Sequence, residues 1–217
     1  LDELPRKDDT KLAVIGSGPL AGGQLRTTMM CGYFETVNVY SPTKENRESF
    51  AAEMNRRYDD TAVGAVASSA AAVENADVVI TATTASEPVF DGDLLESGTH
   101  VTAMGQYHPA KRELDHTTIR RATYVPDLRE RVTQDAGSFI SAMDAGVVDE
   151  DDVHAELGSV VAGEADGRTS DDEITVFDSG GTGIETTAGA YLLYEKATAA
   201  DRGSEIEFAP ASEALQG

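Results

Sequence analysis

The sequence predicts an α/β fold, a doubly wound parallel sheet, and three observations carry that prediction. Short apolar runs that read as strands alternate with helical patterns along most of the chain. The first such run passes straight into a glycine turn that opens a helix. Finally, 217 residues with 40% apolar and only 6% aromatic content suit one principal α/β domain rather than a disordered or fibrous chain.

Taken in order, residues 11–15 (KLAVI) form a strand, Gly16-Ser17-Gly18-Pro19 a turn, and residues 20–31 a helix. Residues 37–40 alternate as a second strand, Ser41-Pro42-Thr43 turns the chain, and residues 45–57 read as a polar helix. Strands follow at 63–66, 78–81, 99–104, 123–125 and 174–177. Helices are expected at 68–76, 112–121, 129–135, 138–145, 151–162 and 184–196, the last packing through Ala188, Leu192 and Leu193. The acidic run Asp149-Glu150-Asp151-Asp152 reads as a helix start, where carboxylates meet the positive end of the dipole. Residues 200–217 lose periodicity and read as a mobile tail.

The 39 acidic side chains outnumber the 17 basic ones, for a net charge of −22, and they are spread along the chain. Such a surface repels nucleic acid and anionic membranes and fits a cytoplasm rich in salt, where screening relieves self-repulsion. No run approaches the roughly 18 apolar residues that span a bilayer, and no leader opens the chain. Cys31, the single cysteine, excludes an internal disulfide and reads as a small buried hydrophobe. The four histidines lack zinc-ligand spacing, so no metal is expected; no Gly-x-Ser-x-Gly elbow or Cys/His catalytic pair occurs.

Chemistry concentrates at the strand ends. In Gly16-x-Gly18-x-x-Ala21 the first glycine permits the tight turn, the second lets backbone approach a pyrophosphate, and the small third residue lets the helix pack on the sheet. The phosphates then meet unpaired N–H groups at the helix start. Where a carboxylate commonly closes the second strand to hold a ribose 2′-hydroxyl, this chain has Ser41-Pro42-Thr43-Lys44. Hydroxyls of Ser41 and Thr43 with the charge of Lys44 favour a 2′-phosphate, hence NADP(H) over NAD(H), although Ser41-Pro42 also suits a plain turn. Ligands of such sheets lie beyond the carboxyl ends of the strands, which assigns Thr81, Ala82, Thr83, Met104, Gly105 and Gln106 to the nicotinamide side.

With the glycine turn, S-P-T-K-E-N, A-T-T, K-R-E-L-D and S-D-D-E-I-T-V-F-D-S in this order, the chain resembles the ornithine cyclodeaminase/mu-crystallin family from Arg6 to Lys196. The resemblance implies a Rossmann-type NAD(P)-binding domain over residues 11–182. Residues 1–10 would enter from a second, discontinuous substrate and dimerisation domain, and residues 183–199 would return toward it. That second domain would be mostly missing from the chain, roughly the first third of a family member preceding Leu1. Gly16, Ser17, Gly18, Pro19 and Leu20 would hold the pyrophosphate, although the family usually has glutamine at the place of Leu20. Ser41, Thr43 and Lys44 match the segment that meets the adenosine ribose, and Ser179 lies in the last motif, beside the cofactor. Arg6 matches an arginine that binds the substrate carboxylate, while a plain surface arginine is equally compatible.

The departures fall on the catalytic stretch, where the chain reads Gly105-Gln106-Tyr107-His108-Pro109-Ala110-Lys111-Arg112-Glu113-Leu114. Tyr107 stands where the family's catalytic aspartate is expected, and Thr186 where many members carry aspartate. A phenol with a pKa near 10 is no base at neutral pH but can donate a proton. Tyr107, His108 and Lys111 are therefore the catalytic candidates. The function implied is an NAD(P)-dependent oxidoreductase acting on a small amino acid, keto acid or cyclic imine, like an alanine dehydrogenase or ketimine reductase, and forming a homodimer; Tyr107 in place of the aspartate speaks against cyclodeamination. The alternatives are an NADP(H)-binding protein without turnover and an ornithine cyclodeaminase.

Overall fold

The computed structural model describes residues 3–105, 107–204 and 206. The chain divides into two compact units, Leu1–Gly180 and Gly181–Gly217. Seven parallel strands form the sheet of the first unit: β1 (Lys11–Ile15), β2 (Thr36–Tyr40), β3 (Ala62–Ala65), β4 (Val78–Thr81), β5 (His100–Ala103), β6 (Ala122–Pro126) and β7 (Ile174–Asp178). Across the sheet they run β3, β2, β1, β4, β5, β7, β6, so the direction of winding reverses between β1 and β4. That reversal is the switch point at which open α/β sheets bind ligands.

Both faces of the sheet are covered, and β1 shows why its run is apolar throughout. Leu12 and Val14 enter one core with Leu25 of α1 (Pro19–Cys31) and Phe50 and Met54 of α2 (Lys44–Asn55). Ala13 and Ile15 point the other way, into a core with Val73 of α3 (Ser69–Val73), Ile119 of α4 (His116–Arg121), Val132 of α5 (Arg129–Asp135) and Phe139 of α6 (Gly137–Asp144). Successive side chains alternate across a strand, so a strand buried on both faces loses its polar alternation. A third, smaller cluster joins Leu4 and Val125 to Val160 of α7 (Leu157–Val161).

Several elements differ from expectation, each for a physical reason. The helix expected over 112–121 is only α4, because Glu113 and Leu114 are drawn inward, 2% and 0% exposed, and Asp115 caps the helix through Thr118 N. The one expected over 151–162 breaks in two. A short 3-10 turn, Glu150–Asp152, carries a capping box in which Asp149 accepts from the backbone and Asp152 accepts from Asp149 N. Val153 then pairs alongside Tyr124 of β6, and α7 begins only at Leu157. The helix expected over 68–76 ends at Val73, with Asn75 following in the left-handed region at φ 59°. Cys31 is exposed rather than buried.

In the second unit, α8 (Gly183–Ala199) starts with a capping box between Thr182 and Glu185. None of its residues, Ala188, Leu192 and Leu193 included, is buried. Within the tail expected over 200–217, residues 205 and 207–217 lie outside the described residues. Among the described residues no helix is long and apolar enough to cross a membrane.

Candidate functional site

The glycine turn sits at the carboxyl end of β1, at the switch point. Gly16 has φ +127°, and a Cβ there would collide with the carbonyl oxygen of Ala82, so both conformation and space demand glycine. Gly18 differs: its φ is −84° and a Cβ would meet nothing within 4 Å. Neither strain nor crowding in the chain itself accounts for glycine at that point, whereas the close approach of a ligand does. Gly18 is also the N-cap of α1 and offers no side-chain cap; Pro19 occupies the first turn, and that turn carries no acidic residue. The uncapped N–H groups of Leu20 and Ala21 therefore remain for an anion. Leu20 is 46% exposed, and Ala21 is fully buried under the turn. These features fit a dinucleotide pyrophosphate.

The end of β2 is tied to this turn. Gly16 N donates to Tyr40 O at 2.8 Å, and the Ser17 hydroxyl donates to Ser41 Oγ at 2.8 Å. Ser41 is buried, whereas Thr43, the N-cap of α2, is exposed and makes no side-chain cap bond. Lys44 is solvated and pairs with Glu48 at 3.7 Å.

Across the switch point, the ends of β4 and β5 are held by one carboxylate that sequence reasoning missed. Glu113 Oε1 accepts from Thr83 N at 2.7 Å and Thr83 Oγ1 at 2.6 Å. Its Oε2 accepts from Thr81 Oγ1 at 2.9 Å and Gly105 N at 2.8 Å. Gly105 is required here, because a Cβ would collide with Glu113 Oε1 and Thr83. Thr81, Ala82, Thr83, Met104 and Gly105 are thus brought together, and Ser179 joins them through its N–H on Ala103 O at 2.9 Å. Gln106 lies outside the described residues.

Beyond Ser179, the Ser179 hydroxyl donates to Asp127 Oδ2 at 3.2 Å, and the Tyr124 hydroxyl donates to Asp178 Oδ2 at 2.6 Å. Burial raises the Asp178 carboxyl to about 7, further supported by the charges of Glu113 and Asp127 and opposed by the Tyr124 hydrogen bond.

The catalytic candidates share the loop after β5 but not one environment. The Tyr107 ring packs against Gly180 and lies 4.9 Å from the Arg131 guanidinium carbon. Its hydroxyl is buried without a hydrogen-bond partner among the described residues, and burial pushes its pKa up. His108 is exposed, with Nδ1 accepting from Ala110 N at 3.1 Å. Lys111 is half-buried, its N–H on His108 O at 2.9 Å. Arg6 is not brought to these strand ends. It forms ion pairs with Asp9 at 3.0 Å and Asp77 at 2.8 Å, and Asp77 also accepts from Lys11 N. It therefore sits where β1 begins, about 13 Å from that strand's carboxyl end at 3.3 Å per residue.

His100 is a buried core residue. It bonds Thr175 and Thr102 at 2.8 and 2.9 Å, and burial lowers its pKa to about 3. Among the described residues no group of three or more His, Cys, Asp or Glu side chains is placed to hold a metal ion.

A dinucleotide-binding switch point of this kind defines an NAD(P)-type α/β domain. The profile of the ornithine cyclodeaminase/mu-crystallin family matches residues 3–201, and the chain belongs to that family. It is 35% identical over 205 residues to an alanine dehydrogenase of Archaeoglobus fulgidus, covering 94% of this chain and 62% of that protein. The structure of Thermococcus litoralis Delta(1)-pyrroline-2-carboxylate reductase, in complex with NADH and L-proline, superposes with TM-score 0.90 at 38% identity, covering 94% of this chain and 63% of that one. An archaeal alanine dehydrogenase dimer with bound NAD gives TM-score 0.87 at 33% identity, covering 95% and 63%. The chain thus spans less than two thirds of the length of each of these relatives.

Proposed function

We propose that this chain is the cofactor-binding part of an NAD(P)-dependent oxidoreductase acting on a small amino acid, keto acid or cyclic imine, as a homodimer in a salt-rich cytoplasm. The observation that carries the reading is Gly18, a glycine whose own fold gives it no steric task, at the uncapped start of α1. Gly16, Ser17, Gly18, Pro19 and Leu20 would hold the pyrophosphate and Ser41, Thr43 and Lys44 the adenosine ribose, with NADP(H) favoured over NAD(H). Thr81, Ala82, Thr83, Met104, Gly105 and Ser179 would line the nicotinamide side. The nicotinamide supplies or accepts the hydride. His108 lies on an exposed loop, and because its Nδ1 accepts from Ala110 N, its Nε2 is the ring atom left to hydrogen-bond and orient a substrate nitrogen or oxygen. Arg6 has no part in this reading, since both its guanidinium partners are carboxylates.

The test follows the absorbance of reduced nicotinamide with a panel of amino and keto acids at high salt. Turnover on one of them is the expected result. Ammonia release without net change in reduced cofactor would instead indicate cyclodeamination. A second reading, an NADP(H)-binding protein without turnover, draws on Tyr107, whose buried phenol replaces the carboxylate that the family resemblance implies. Tight NADPH binding with no turnover on the panel would select it.

Tyr107→Phe separates packing from proton transfer. Loss of a buried hydroxyl that has no partner leaves stability unchanged or raises it by about 1 kcal/mol. Turnover should remain within about twofold, because a group already raised by burial is poorly placed to give up its proton. A drop in kcat with unchanged thermal stability would restore Tyr107 to the chemistry.

A further inference from the structure

We propose that Arg47, not Lys44, is the residue that sets the preference for a 2′-phosphorylated cofactor. The inference rests on the reading of this chain as NAD(P)-binding and goes beyond it by naming a residue outside the S-P-T-K turn. Arg47 lies three residues after Lys44 on α2, hence on the same side of the helix. Its Nη1 donates to the carbonyl oxygens of Ser41 at 2.9 Å and Pro42 at 3.3 Å, and its guanidinium carbon stands 5.8 Å from the centroid of the Tyr40 ring. These contacts hold the guanidinium against the turn that closes β2. The same turn is bound to the pyrophosphate loop through Ser17 and Ser41.

The distribution of charge decides between the two cations. Lys44 is paired with Glu48 and its side chain is 67% exposed, so its field is both neutralised and screened. Arg47 is half-buried, and its Nη1 meets two neutral carbonyls, with no carboxylate within salt-bridge distance among the described residues. Its charge thus stays available, and a planar guanidinium suits a phosphate better than a flexible ammonium. The anchoring of Nη1 also pre-orders the long side chain, which lowers the entropy lost when an anion binds.

The test is titration of reduced cofactor by its own fluorescence, which no tryptophan of the protein obscures because the chain has none. NADPH and NADH are titrated at one fixed salt concentration into wild type, Arg47→Ala, Arg47→Gln and Lys44→Ala. Wild type should bind NADPH more tightly than NADH. Each Arg47 variant should lose NADPH affinity by about 10- to 100-fold, the range of one or two charge-assisted hydrogen bonds, and keep NADH affinity. Lys44→Ala should cost about fivefold or less. If wild type prefers NADPH and the Arg47 variants keep its NADPH/NADH ratio, the assignment to Arg47 is wrong while the 2′-phosphate reading stands. If both cofactors weaken equally in both Arg47 variants, Arg47 only props the turn, and the proposal fails. A wild type that prefers NADH overturns the 2′-phosphate reading itself.

Discussion

Glu113→Ala should lower the stability of the protein by about 3–5 kcal/mol, a fall in Tm on the order of 10 °C, and weaken cofactor binding in what still folds. The carboxylate accepts four hydrogen bonds, two on each oxygen, and is 2% exposed. Truncation regains the cost of desolvating the charge but leaves those donors where water reaches them poorly, each at about 1–3 kcal/mol. The donors come from the ends of two adjacent strands, so the loss also loosens the crevice between β4 and β5. Glu113→Gln makes a finer comparison. An amide keeps the shape but replaces one oxygen with NH2. A threonine hydroxyl can rotate to accept from it, whereas the backbone N–H of Thr83 or Gly105 cannot. One orphaned N–H predicts a loss of about 1–3 kcal/mol for Gln, well short of Ala. Urea denaturation of the three proteins checks the order; equal stability of wild type and Ala would show that the four contacts carry no net energy.

Glu113 also marks where reading the sequence stops working. The turn at Gly16 to Ala21 is legible because strand, turn and helix are contiguous, and each residue's task is set by its immediate neighbours. The alternation of β1 between two cores is likewise local, which is why an unbroken apolar run predicts a strand covered on both faces. Glu113, by contrast, takes its meaning from Thr81 and Thr83, 30 and more residues away. Within its own segment it resembles any acidic residue of a helix. The same long-range pull shortens the helix expected over 112–121, since the chain must leave helical geometry for Glu113 and Leu114 to turn inward. Pairing with β6 does this to Val153. Arg6 shows the converse case, where one of two compatible readings is favoured by long-range partners. A resemblance suggested a carboxylate ligand, and the fold supplies two carboxylates of the protein itself, Asp9 and Asp77, at the opposite end of the strand. The hidden signal was Asp77, just before β4, whose side chain also caps the start of β1 at Thr10 N and Lys11 N.

Asp178→Asn should abolish a pH dependence that the wild type carries between about pH 4 and 7. Asp178 closes β7, is 4% exposed, and has its carboxyl raised from 3.8 to about 7, first by burial and then by the neighbouring charges of Glu113 and Asp127. Tyr124, whose own pKa is raised by burial, donates to it, and Tyr107 lies among the same group. The folded protein therefore holds a proton that the unfolded chain has already released in this window. Stability from this site is fully present below about pH 4 and is lost as pH rises through about 7, for a total of about 4 kcal/mol. The charge of −22 bends the whole curve in the same direction by self-repulsion, so the wild-type profile alone proves nothing. The difference between wild type and Asp178→Asn removes that background. Asparagine keeps an oxygen to accept from Tyr124 but never ionises, so the two proteins should be equally stable near pH 4. The variant should pull ahead by about 2–4 kcal/mol near pH 8. Parallel stability curves across that range would mean that Asp178 titrates as an ordinary carboxylate and that burial at the end of β7 costs it nothing.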